Sequence, residues 1–165
     1  LTLLYFALGA EAQIFIEKLK AKKISSNPKI FLSNRYVLAI GGVGKGRLES
    51  TLQRVFEEFS ISKCVNIGIA GVNSSDILVG RLFCVYPKME IALITKDIPT
   101  TKTDVKKETL FDMEGKYFYD FCKDRVDEVY IFKVVSDHLD SKILSKEFVK
   151  KLIHKNFNSI IKEIE

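Results

Sequence analysis

Metal-ligating side chains are scarce in this 165-residue chain: it has three cysteines and two histidines, and no metal-ligand spacing among them. No metal or other cofactor is therefore expected. The cysteines, Cys64, Cys84 and Cys122, are odd in number and lie in apolar surroundings. They read as buried reduced thiols, which favours a cytoplasmic location. Long apolar runs are also missing, so no segment is expected to cross a bilayer and no membrane partner is expected. Leu1 to Leu8 is apolar but short, lacks a basic leader and runs into Gly9-Ala10-Glu11, so it reads as a core strand rather than a signal peptide. Internal repeats and linkers are absent, and residues 1–165 suit one domain around a single core.

The acidic side of the charge balance is in deficit, 21 Asp and Glu against 26 Lys and Arg, giving a net charge of +5. A basic balance can signal a nucleic-acid partner. Here the lysines are spread through Lys18 to Lys23, Lys102 to Lys107 and Lys142 to Lys155 without interleaved aromatics. A solvated basic surface is the expectation, and no nucleic-acid partner. Apolar content of 47% and charged content of 28% are those of a folded globular protein and argue against disorder.

The pattern that is present alternates strands and helices. Leu1 to Leu8 predicts a strand, and Ala10 to Lys22 a helix with Ile14, Ile16 and Leu19 inward. Ser25 to Pro28 reads as a turn, followed by short strands at Lys29 to Leu32 and Tyr36 to Ile40. A second helix is expected over Arg47 to Phe59, and Cys64 to Ile69 has the unbroken apolar character of a strand buried on both faces. Further strands fall at Leu82 to Tyr86, Ile91 to Thr95, Leu110 to Met113 and Glu128 to Val135. A helix follows Met113, and another starts near Ser145 with an apolar stripe that includes Leu152, Ile153 and Ile160. Asp97 to Glu108 is polar and is the best candidate for a mobile loop. The expected fold is α/β, a three-layer αβα sandwich with a mixed central sheet.

Four short patterns lie where strands of this sheet end: Gly41-Gly42-Val43-Gly44-Lys45, Gly68-Ile69-Ala70-Gly71, Asp112-Met113-Glu114-Gly115 and Val135-Ser136-Asp137. Strand ends are where open α/β sheets bind ligands. The glycine loop could take an anion or a hydroxylated ligand on free amides, although alone it reads first as a tight strand–helix turn. It has neither the P-loop nor the dinucleotide spacing. Gly68 to Gly71 could let a flat ligand lie against bare backbone, or could be a packing turn. Glu114 and Asp137 could be a helix-start glutamate and a turn former, and Glu11 a solvated first-turn glutamate. Three carboxylates ending three strands can also converge on one pocket.

As an ordered set these residues resemble the nucleoside phosphorylase/nucleosidase superfamily, most closely its methylthioadenosine/S-adenosylhomocysteine nucleosidase branch. The likeness runs from Ala10-Glu11-Ala12 through Gly42-Val43-Gly44-Lys45, Val65 to Gly71, Val79-Gly80-Arg81 and Asp112 to Gly115 to Val134-Val135-Ser136-Asp137. It implies hydrolysis of the N-glycosidic bond of an adenine nucleoside, a small-molecule partner. Asp137 would protonate the imidazole-side nitrogen of the base, and Glu11 would orient and deprotonate the attacking water. Glu114 would hold the ribose hydroxyls, with Met113 beneath the sugar and Ser136 among the substrate-binding residues. Ile69, Ala70 and Gly71 would wall the base pocket, and Gly42 and Gly44 would lie near the water.

The chain departs from the family at named places. It turns at Pro87-Lys88 straight into the next strand, where relatives have a longer excursion carrying subunit-interface residues. It reads Lys96-Asp97-Ile98-Pro99-Thr100 where relatives place an aromatic on the base, and it has Lys133 where they often have arginine. A homodimer is compatible with the resemblance. Phosphorylases of the superfamily generally carry an arginine where Cys64-Val65-Asn66 stands, so water is the expected nucleophile. The alternatives are a phosphorylase and a non-catalytic protein that keeps the nucleoside pocket.

Overall fold

A computed structural model describes residues 1–140 and 142–165. In chain order the elements are β1 (Thr2–Phe6), α1 (Gly9–Lys18), β2 (Lys22–Ser26), β3 (Lys29–Leu32), β4 (Tyr36–Ile40), α2 (Lys45–Glu58) and β5 (Lys63–Val72). They continue with β6 (Leu82–Tyr86), β7 (Ala92–Thr95), β8 (Thr109–Asp112), α3 (Gly115–Cys122), β9 (Glu128–Asp137) and α4 (Lys146–Ile164).

The strands form one mixed sheet in the order β2-β3-β4-β1-β5-β8-β7, with β9 on β5 and β6 on β9. Its centre, β4, β1, β5 and β9, is parallel and nearly all buried. Helices cover both faces, as such a sheet requires. Successive residues of β5 point to opposite faces: Cys64 and Ala70 share an apolar cluster with Leu48, Leu52 and Phe118 of α2 and α3, while Val65 and Ile67 share another with Phe15, Leu152 and Ile153 of α1 and α4. This is the α/β fold with a mixed central sheet that the residue pattern predicts.

Several boundaries differ from expectation, three of them with consequences for the fold or the rim. The first helix stops at Lys18 rather than Lys22, because Lys20 turns left-handed at φ 53° and Lys22–Ser26 becomes β2. That edge strand is almost wholly exposed, so no apolar alternation marks it. Strand β5 runs on to Val72 and β9 to Asp137. Along their shared ladder Ala70 faces Val135 and Gly71 faces Asp137, so Ser136 is an extra residue bulged out of β9. A bulge at a strand end re-aims the next side chain, here Asp137.

Candidate active site

Each acidic residue at the sheet rim first serves the local chain. Glu11, in the first turn of α1, accepts the backbone N–H groups of Ala7 (3.2 Å) and Leu8 (3.0 Å) on Oε2. This is the reciprocal half of a capping box. Its other oxygen reaches across the chain to the N–H of Ile69 on β5 (3.2 Å). Asp112, at the end of β8, accepts the Gly115 N–H that opens α3 (2.7 Å), and Glu114 is the N-cap of that helix. Asp137 forms an Asx turn, with Oδ1 accepting from the Leu139 N–H at 2.9 Å and Oδ2 from the Ser136 hydroxyl at 2.7 Å. Asp137 is thus the expected turn former and Glu114 stands at the helix start without a side-chain capping bond, whereas Glu11, expected as a solvated first-turn glutamate, is buried at 3% exposure.

The same residues surround one cavity of about 500 Å³. Glu11, Ile69, Ala70, Gly71, Met113, Glu114, Ser136 and Asp137 all line it. Gly42 and Gly44 do not: of the glycine loop only Val43 reaches this wall, Gly42 faces a separate cavity, and Gly44 is the N-cap of α2. The loop turns its backbone away from the cavity and presents a side chain to it. Pro99, Thr100 and Thr101, from the segment that carries no aromatic, close another side together with Phe111. That segment is tied down further along by Asn73, whose amide donates to the carbonyls of Val105 (3.0 Å) and Lys107 (2.9 Å).

Two glycines make the convergence sterically feasible. A Cβ on Gly71 would stand 2.8 Å from Asp137 Oδ1 and 2.7 Å from a Leu139 methyl. At Gly68 a Cβ would lie 3.2 Å from both Glu11 Oε1 and Lys133 Nζ, so these two groups meet over a stretch of bare backbone.

Lys133 is the residue that motif reading left without a role. Only 1% exposed in the middle of β9, it pairs with Asp112 Oδ2 at 2.9 Å. Burial alone lowers the pKa of its ammonium, but Asp112, Glu114 and Glu11 outweigh that and hold it above its usual value. A lysine inside the apolar run Val129 to Val135 was the available signal. Glu11, 3% exposed, is pushed up to about 7 by burial; Lys133 and the N–H groups of Leu8 and Ile69 pull the other way. Glu114 is also raised, again by burial first, with Lys133 opposing and Asp112 adding to the rise. A buried carboxylate that exchanges its proton near neutrality is suited to general base chemistry. Among the described residues no group of three or more His, Cys, Asp or Glu is arranged to hold a metal ion, and no helix is long and apolar enough to cross a membrane.

No family model and no curated protein matches the chain in sequence. Solved structures match it in fold over nearly their whole length. The 5'-methylthioadenosine/S-adenosylhomocysteine nucleosidase from Helicobacter pylori, solved with butyl-thio-DADMe-Immucillin-A, aligns with a TM-score of 0.79 and 15% identity, covering 98% of this chain and 97% of that one. The corresponding enzyme from S. pneumoniae, with the transition-state inhibitor MT-ImmA, gives a TM-score of 0.81 at 13% identity, covering 96% of each chain. Futalosine hydrolase of Helicobacter pylori gives 0.79 at 13% identity, covering 98% of this chain and 97% of that one. The chain shares the fold of these nucleosidase and futalosine hydrolase structures.

Proposed function

We propose that this protein is a purine nucleosidase that hydrolyses the N-glycosidic bond of an adenine nucleoside such as methylthioadenosine or S-adenosylhomocysteine. The observation that carries this reading is the convergence of Glu11, Glu114 and Asp137, from three distant parts of the chain, on one cavity at the sheet rim. The solved structures of the same fold are named as nucleosidases and a futalosine hydrolase, which supports the class of reaction.

In this reading the base lies against Ile69, Ala70 and Gly71, and the sugar over Met113. Glu114 accepts hydrogen bonds from the ribose hydroxyls. As the C1'–N9 bond breaks, the carboxylic acid of Asp137 gives its proton to the imidazole-side nitrogen, and the base leaves neutral. The sugar develops oxocarbenium character, which the surrounding carboxylates stabilise electrostatically. Water attacks C1', and Glu11 takes its proton. Lys133 stays below as a fixed positive charge, which allows Glu11 and Glu114 to ionise despite burial.

Incubation with methylthioadenosine, S-adenosylhomocysteine, adenosine and inosine, with and without inorganic phosphate, tests the proposal. Free base is expected from an adenine nucleoside without phosphate. Base release that requires phosphate would identify a phosphorylase, and binding without any release would identify a non-catalytic nucleoside-binding protein.

A further inference from the structure

One residue on the wall of the candidate active site carries a hydroxyl with nothing to bind inside the protein. The Thr100 Oγ1 atom is buried and, among the described residues, has no hydrogen-bond partner, although Thr100 lines the cavity. Other polar groups of that wall are satisfied internally. Glu11 accepts three backbone N–H groups, Asp112 takes the Gly115 N–H and the Lys133 ammonium, and the Ser136 hydroxyl donates to Asp137. A buried hydroxyl without a partner carries a cost that a ligand supplying one would remove.

The backbone around Thr100 is tied down on both sides. The Lys96 N–H donates to the Asp112 carbonyl at 3.0 Å and the Tyr117 hydroxyl donates to Asp97, while Asn73 holds the carbonyls of Val105 and Lys107. The side chain is freer. Its hydroxyl and methyl share Cβ, so a turn of about 120° about χ1 exchanges them between staggered positions. Where it now stands, the hydroxyl has no bond to lose in such a turn.

Strand register places this segment beside the acid. Ile94 of β7 lies opposite Phe111 of β8, and Phe111 lies opposite Gly71 of β5. Gly71 in turn abuts Asp137, since a Cβ there would stand 2.8 Å from Oδ1. The chain that leaves β7 therefore reaches the cavity next to Phe111, at the end where the nucleosidase reading puts the base.

We infer that the Thr100 hydroxyl hydrogen-bonds the substituent at C6 of the purine, and that the pocket accepts 6-amino and 6-oxo purines alike. This inference rests on the nucleosidase reading and deepens it. The C6 substituent neighbours the imidazole-side nitrogen that Asp137 protonates, on the edge of the base away from the sugar. A hydroxyl accepts from an amino group or, with its proton rotated, donates to a carbonyl oxygen. The side chains of Pro99 and Phe111 beside it can do neither. Thr100 is thus a specificity residue that reads a polar group at C6 without choosing between the two kinds.

The test compares wild type and Thr100→Val on adenosine, inosine and purine riboside, which has hydrogen at C6, and on their 5'-methylthio derivatives. Base release gives kcat/KM, and calorimetry gives Kd. The wild type is expected to release base from both the 6-amino and the 6-oxo compounds. Thr100→Val removes a hydroxyl that has no partner in the fold, so its urea midpoint should match the wild type. Its kcat/KM for the 6-amino and 6-oxo compounds should each fall about three- to tenfold relative to purine riboside, the range of one neutral hydrogen bond. Unchanged ratios overturn the inference, as does an equal fall for all three bases or a wild type that leaves the 6-oxo compounds intact. Failure of the nucleosidase reading has a different signature, namely no base released from any compound by the wild type. The Kd ratios then decide the inference, with the same change expected. A wild type that neither cleaves nor binds any of these nucleosides overturns both.

Discussion

Lys133 is the residue on which the electrostatics of the rim turn. It is paired with Asp112, close to Glu11 over Gly68, and buried almost completely. Replacing it with methionine would leave buried carboxylates without their counter-charge, a change that typically costs about 3–5 kcal/mol. Lys133→Met should lose stability of that order in urea denaturation, and an unchanged midpoint would contradict the charge-balance role. Glu11 gives a second prediction. As the proposed base it must be ionised, so its own limb of the log kcat/KM profile should rise with pH and level off above about 7. Because Lys133 favours the ionised form of Glu11, Lys133→Met should move that plateau to higher pH. A plateau that begins near the ordinary carboxylate range would remove Glu11 from the role of base. At Gly71 an added methyl would press on Asp137 and Leu139. Gly71→Ala should cut base release by about tenfold or more with the fold intact by circular dichroism, in line with the sensitivity of catalytic groups to small displacements.

At the scale of elements, the junction of β4 with α2 rests on close packing against β1. A side chain at Gly41 would collide with the Tyr5 hydroxyl beneath it. That hydroxyl is buried and, among the described residues, has no hydrogen-bond partner. Gly41→Ala should therefore destabilise by about 1–3 kcal/mol, and Tyr5→Phe, which removes the obstructing atom, should be neutral or stabilising. The double variant should recover most of the loss, and strictly additive effects in the cycle would contradict the contact. The central strands were legible in the sequence because their apolar runs are unbroken, and the late helix because its stripe has helical spacing. Strand β2 was not, because an exposed edge strand needs no apolar alternation and is defined only by pairing with β3. Glu11, Glu114 and Asp137 stood out through the order of their motifs at strand ends. The Ser136 bulge that turns Asp137 inward depends on register with β5, which no local pattern carries. The orientation of the glycine loop was equally hidden: its composition allowed a tight turn or a ligand loop without saying which of two cavities its backbone faces.

For the molecule as a whole, burying Glu11 has a cost that depends on pH. Its pKa lies at about 7 in the native chain against 4.5 for the free group. Between these values the native state keeps a proton that the unfolded chain releases, so stability falls as pH rises through this window. The slope from this one group is at most about 1.4 kcal/mol per pH unit. Urea midpoints measured from pH 4.5 to 7.5 should show this component, and Glu11→Gln should flatten it; identical profiles for the two proteins would contradict the burial argument. This is the expected signature of a site in which the fold tolerates strained electrostatics for chemistry. The most direct test of that chemistry compares the wild type with Asp137→Asn on methylthioadenosine in phosphate-free buffer, following free adenine by chromatography and binding by calorimetry. The account predicts that the variant keeps binding while adenine release falls by about 100-fold or more. An Asp137→Asn protein that released adenine at the wild-type rate would contradict it.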